Sequence, residues 1–175
     1  MGIDIKNKRP KKSIRKEPRT KNVYIHLLSK LYTVLGRRTS SKFNKIVLKR
    51  LCMSKVNRPP VSLSVLSRMA SKPGNEKKVV VVVGAILDDE RATTLPAIKL
   101  CALRVSDKAR SRILAAGGTV MTFDQLAQKH PDGKNTLIIQ GQRKARTAFK
   151  YFGPPPGSHN SHTKPRIHSK GRKFE

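Results

Sequence analysis

Asp88-Asp89-Glu90, set directly behind the apolar run VVVVVGAIL at 79–87, is the place where acids cluster. Carboxylates at the end of a buried strand can hold magnesium or poise a proton. The plainer alternative is a polar turn whose charge is countered by Arg91. His159 and His162 are spaced H-x-x-H, and His168 follows. Imidazoles so spaced can ligate a metal. Here they stand in a Pro- and Gly-rich tail without a cysteine, so contacts to phosphate or base edges are the better reading. Cys52 and Cys101 are the only cysteines, each alone in an apolar stretch. With no C-x-x-C pair they read as small buried hydrophobes, and nothing demands an oxidising compartment. VVVVVGA could open a dinucleotide-binding unit, but Gly84 is followed by AILDD, and the glycine loop that cradles a pyrophosphate is missing. There is no G-x-x-x-x-G-K either. No catalytic residue, cofactor or metal ligand is therefore assigned.

The chemistry that remains is charge. The chain carries 39 Lys/Arg against 10 Asp/Glu, a formal net charge of +29 in 175 residues. Residues 79–132 hold seven of the cations and six of the acids, so their net charge is +1. A near-neutral centre can bury a core. The ends repel themselves and call for a polyanion, with RNA the foremost candidate, because basic side chains gain entropy by displacing phosphate counterions. Tyr24, Tyr32, Phe43, Phe123, Phe149, Tyr151, Phe152 and Phe174 are the aromatics, and most fit apolar faces. No RNP-like pattern is present, so the binding mode expected is backbone and shape recognition, not base reading.

The elements that must position these cations follow from period and punctuation. Residues 1–22 hold nine Lys/Arg, two acids, Pro10 and Pro18, and read as a basic arm. Tyr24, Leu27, Leu28, Leu31, Tyr32 and Leu35 form one helical stripe, with Gly36 expected to stop it. Ser40 or Ser41 can cap a second helix bearing Phe43, Ile46, Val47 and Leu51 on one face and Lys42, Lys45 and Lys49 on another. Ser62 can cap a third through Leu63, Leu66, Met69 and Ala70. Three basic helices invite a helix-turn-helix reading, but Arg58-Pro-Pro is the wrong chemistry for a tight turn into a recognition helix. Pro73-Gly74 marks a joint. Strands are expected at 79–87, buried on both faces, at 98–105, at 119–122 and at 137–139. Helices are expected from Ser106 to Gly117-Gly118, over 123–129 and over the basic stretch 144–152. Residues 153–175, with four prolines and no apolar period, read as an extended basic tail without structure of its own. The expected organisation is an arm over 1–22, a basic helical region over 23–72, a mixed α/β core over 73–152 and the tail over 153–175. The N-terminus lacks a signal-peptide core, Lys6 stands where N-myristoylation wants Ser or Thr, and no apolar run is long enough to span a bilayer. A soluble intracellular protein is expected.

The stretches MGIDI at 1–5, SKFNKIVLKRLCMSKVNRPPVSLS at 41–64, VVVVVGAILDDER at 79–91, LCALRVSDKARSRILAAGGTVMTFDQLA at 100–127 and SHTKPRIHSKGRKFE at 161–175 stand in an order that covers nearly the whole chain. Together they resemble the eukaryotic large-subunit ribosomal protein eighteen family, the eighteen-e family shared with archaea. The resemblance implies the fold group of the bacterial fifteenth large-subunit protein. That is a mixed α/β fold with a helical N-terminal region, a small core of short strands and helices in an irregular ββα-type repeat, and extended basic termini. It implies large-subunit ribosomal RNA as partner, neighbouring large-subunit ribosomal proteins as secondary partners, and neither membrane nor small-molecule substrate. Any structural magnesium would be held by the RNA. It also implies a cytoplasmic ribosome, with nuclear and nucleolar passage during assembly. Members often continue in Lys/Arg beyond the position of Glu175.

Charge partition and resemblance converge on a structural constituent of the large ribosomal subunit. The expected RNA contacts are Lys8, Arg9, Lys11, Lys12, Arg15, Lys16 and Arg19 in the arm. Arg37, Arg38, Lys45, Lys49, Arg50, Lys55 and Arg58 are expected on a basic helical face, and Arg110 and Arg112 beside a glycine turn where RNA can come close. Arg143, Lys144, Arg146, Lys164, Arg166, Lys170, Arg172 and Lys173 complete the set. The alternatives are a basic DNA or chromatin architectural protein and an RNA-modifying enzyme using Asp88-Asp89-Glu90.

Overall fold

The structure, a computed structural model, describes residues 15–167. The chain divides after Gly141 into two units.

The first unit is built on an all-parallel sheet. Strand β1 covers Val61–Ser62, β2 Val79–Leu87, β3 Lys99–Val105, β4 Thr119–Met121 and β5 Thr136–Ile139. On one side of β2 lies β3, and β4 follows it. The other edge of β2 is shared end to end, with β5 against Val79–Val82 and β1 against Ile86–Leu87. Parallel strands need cover on both faces, which explains a central strand of consecutive Val residues. Alternation along β2 sends Val80, Val82 and Ile86 to one face and Val79, Val81 and Val83 to the other. Each fully buried side chain of this size contributes on the order of 1.5–3 kcal/mol.

Among the described residues, five α-helices supply the cover. Helix α1 covers Val23–Arg38, α2 Lys42–Leu51, α3 Leu63–Ala70, α4 Asp107–Ala115 and α5 Phe123–Lys129. The first face packs against α3 through Leu63 and Leu66 and against α4 through Ala109 and Ile113. The second packs against α1, α2 and α5 through Tyr32, Val47, Leu51, Phe123 and Leu126. Tyr32 closes this layer. Its ring meets Phe123 edge-on at 6.0 Å, and its hydroxyl donates to the Phe123 carbonyl at 3.1 Å. Gly117, at φ 73°, ends α4 in the left-handed conformation that favours glycine.

Several expectations need correcting. Helix α1 does not stop at Gly36. It runs to Arg38, where Thr39 returns both its N–H and its hydroxyl to the Leu35 carbonyl, and Ser40 makes the left-handed turn at φ 50°. The α1 stripe is only half covered: Leu28, Tyr32 and Leu35 face the core, whereas Tyr24, Leu27 and Leu31 are exposed. Of the two expected caps of α2, Ser41 fills the role, accepting from the Phe43 N–H at 3.2 Å. Two elements were not anticipated, β1 and a 3-10 turn at Lys55–Asn57.

The second unit contains no α-helix among its described residues. Where a basic helix was expected over 144–152, the chain forms 3-10 turns at Arg143–Ala145 and Thr147–Tyr151. The short stretch has no apolar face at a 3.6-residue period to dock. Phe149 and Phe152 pair edge-on at 5.9 Å, and the Lys164 N–H donates to the Lys150 carbonyl at 2.8 Å. The tail, which has neither helix nor strand over 162–167, thus turns back onto the aromatic turn that precedes it.

Candidate nucleic-acid interface

Residues 15–22 form neither helix nor strand, yet they are anchored. Pro18 is buried, the Cys52 thiol donates to the Lys16 carbonyl at 3.2 Å, and His26 Nε2 lies 2.7 Å from the Thr20 carbonyl. Asn22 then caps α1, its side chain accepting from the Tyr24 N–H at 3.0 Å. Arg15, Lys16 and Arg19 are therefore exposed on a held segment.

Arg37 and Arg38 lie exposed in the last turn of α1. Lys49 and Arg50 hold the same position in α2, where cations also complement the helix dipole by roughly 0.3–1 kcal/mol. Lys42, Lys45 and Lys49 recur at i, i+3 and i+7 and share one exposed ridge of α2, opposite the buried Val47 and Leu51. Lys42 belongs to this ridge but was absent from the expected contacts, although its spacing signals it. Arg50 is half-buried and donates to the Ile139 carbonyl at 2.9 Å, joining α2 to the end of β5.

After α2 the chain turns through Lys55 to Arg58 and closes against the anchored arm. A cleft of about 340 Å³ results, lined by Arg15, Arg19, Lys55 and Arg58 and by the buried Pro18 and Leu51. Arg58 is half-buried, and its Nε is sealed from solvent with no hydrogen-bond partner among the described residues. Burial draws the Arg58 pKa below its usual value, against an opposing influence of Cys52.

On α4, Arg110 is exposed. Arg112 is directed inward. Its guanidinium donates to Asp88 Oδ1 at 2.7 Å, to the Asp89 carbonyl at 2.9 Å and to the Ala92 carbonyl. Asp89 is held by Arg91, whose Nε and Nη2 reach its two oxygens at 2.9 and 3.1 Å, and by the Ser64 hydroxyl at 2.5 Å. These bonds, that from Arg91 foremost, hold the Asp89 carboxyl well below the usual carboxylate range. The acidic cluster is thus a pinned loop whose two aspartates are occupied by arginine donors. Among the described residues no group of three His, Cys, Asp or Glu could hold a metal ion. His159 and His162 are exposed, and His168 lies outside the described residues. Cys52 and Cys101 are both buried, and desolvation pushes the Cys101 thiol up to about 12.

In the second unit Arg143 and Lys144 are exposed. Lys144 stands over the Phe149 ring, and Lys164 and Arg166 flank Tyr151, each at 5.8 Å. Arg146 Nε has no hydrogen-bond partner among the described residues. Lys8, Arg9, Lys11, Lys12, Lys170, Arg172 and Lys173 lie outside the described residues. No helix among the described residues is long and apolar enough to cross a membrane.

A neutral parallel sheet wrapped in helices, with cations on the exposed ridges and turns around it, defines a basic α/β protein. The chain belongs to the family described as ribosomal protein 60S L18 and 50S L18e, whose model matches residues 2–175. It is 57% identical over 175 residues to the large ribosomal subunit protein eL18 of Diaphorina citri, covering all of this chain and 93% of that one. It is 56% identical over 174 residues to the protein of the same name in Drosophila pseudoobscura pseudoobscura, covering 99% and 92%. With that of Drosophila melanogaster it shares 54% identity over 175 residues, covering 100% and 93%.

Proposed function

We infer that this protein is a structural constituent of the large ribosomal subunit that binds ribosomal RNA and supports translation. The family membership carries the reading, and the charge pattern gives it a mechanism. The sheet and its helices fix the shape. The anchored arm, the α2 ridge and the basic turns bring cations to RNA helices that otherwise repel one another. Each phosphate neutralised steepens the salt dependence of binding by roughly 0.7–0.9 in the log–log slope. The contacts proposed are the arm cations from Lys8 to Arg19, then Arg37, Arg38, Lys45, Lys49, Lys55, Arg58 and Arg110. From Arg143 to Lys173 the second unit adds its own. Arg50 and Arg112 take part by holding the framework.

Neighbouring ribosomal proteins are the secondary partners proposed, and no cofactor of its own is assigned. The working place is the cytoplasmic ribosome, after nuclear and nucleolar passage during assembly. An RNA-modifying role is disfavoured because Asp88 and Asp89 are engaged by Arg112 and Arg91.

The test is binding of the full chain to deproteinised large-subunit ribosomal RNA and to duplex DNA of matched length at the same salt. Tighter binding to the RNA, with a slope of several units, is expected. Preference for duplex DNA would favour a chromatin role and overturn this one.

A further inference from the structure

We propose that the cleft between residues 15–19 and the turn at 55–58 is a dedicated seat for one phosphodiester of the RNA backbone. This inference rests on the RNA-binding reading and locates one point of it. Four cations from two separate segments converge there, and among the described residues no Asp or Glu lines the cleft. Like charges brought together by the fold repel one another unless an anion lies between them. The arrangement is nevertheless built in. Pro18 is buried, and the Cys52 thiol holds the Lys16 carbonyl, so the backbone that carries Arg15 and Arg19 is fixed beside the turn. A phosphate answers that repulsion, since its oxygens accept planar donors from arginine. An apolar ligand would leave four charges uncompensated. The cleft thus differs from the α2 ridge, where each lysine is separately solvated and serves as a diffuse charge.

The experiment compares the full chain with two variants, Arg58→Gln and the pair Arg19→Ala/Lys55→Ala. Arg19 and Lys55 are exposed, so the pair leaves the core untouched even where Arg58→Gln perturbs folding. Binding to deproteinised large-subunit ribosomal RNA is measured across a salt series. Both variants are expected to lose at least about tenfold in affinity and to show a slope shallower by roughly 0.7–0.9 or more. Arg58→Lys keeps the charge without the planar fork, and is expected to recover the slope but only part of the affinity. A steep wild-type slope that neither variant changes would overturn the cleft while leaving the RNA reading standing. Absence of salt-dependent RNA binding by the wild type would instead remove that reading itself.

Discussion

Arg112→Leu separates two meanings of a surface arginine. By sequence Arg112 stands with Arg110 as a cation beside a glycine turn. In the fold it clamps the loop after β2 through one carboxylate and two carbonyls. Its side chain is 29% exposed and that of Asp88 18%, so water replaces the lost bonds only in part. Hydrogen bonds from charged donors are worth about 1.5–3 kcal/mol each. Discounted for this exposure, and because the three share one guanidinium, the loss comes to about 2–3 kcal/mol. For a chain of this size each kcal/mol shifts Tm by about 2–4 °C, so the midpoint should fall by roughly 5–10 °C. The measurement is thermal melting by circular dichroism, paired with the salt slope of RNA binding below the melting transition. Arg112→Leu should lower Tm and leave the slope unchanged. Arg110→Ala, on the exposed side of the same helix, should do the reverse. An unchanged Tm with a shallower slope for Arg112→Leu would show that Arg112 contacts RNA and that the clamp is unimportant.

Gly118→Ala should cost about 1–3 kcal/mol by overpacking, read from urea unfolding, because a Cβ there would stand 2.7 Å from the Ile98 carbonyl oxygen and 2.8 Å from Ile113 Cγ2. Asp89→Asn tests the acidic loop against pH. The folded pKa is depressed, so the carboxylate stabilises the fold above the unfolded value of about 3.9 and loses that effect as pH falls through the folded value. The variant should be less stable than wild type at pH 7, and the gap should close below about pH 4; a gap constant with pH would contradict this. Tyr32→Phe should cost about 1 kcal/mol in the same unfolding assay, since the Phe123 carbonyl loses its buried donor.

Local pattern made much of the fold legible. The Val run of β2 and the α5 helix were readable because their apolar spacing or length belongs to one element alone. What escaped depends on distant residues. β1 is two residues long and exists only because Val61 and Ser62 meet Ile86 and Leu87, some 25 positions away. The stop of α1 was misplaced because Gly36 is permissive and not obligatory, and the left-handed turn falls on Ser40. Residues 143–151 carry helix-forming types but no apolar stripe, and they settle into 3-10 turns. The basic character of the surface was plain from composition, whereas the different structural roles of its cations were not. Arg50 and Arg112 resemble every other arginine until Ile139 and Asp88 are brought beside them. Arg15, Arg19, Lys55 and Arg58 were each expected to contact RNA, but only the docking of the arm against the end of α2 gathers them into one cleft.

Incorporation into the large ribosomal subunit through the cationic surface is the proposal on which the other readings depend. Sedimentation of a cell lysate through a sucrose gradient tests it most directly, with and without a high-salt wash of the subunits. The protein should travel with the large subunit, survive the wash, and lose occupancy when Arg37, Arg38, Lys45 and Lys49 are replaced together by Ala. Recovery at the top of the gradient, or full occupancy of that variant, would refute this proposal.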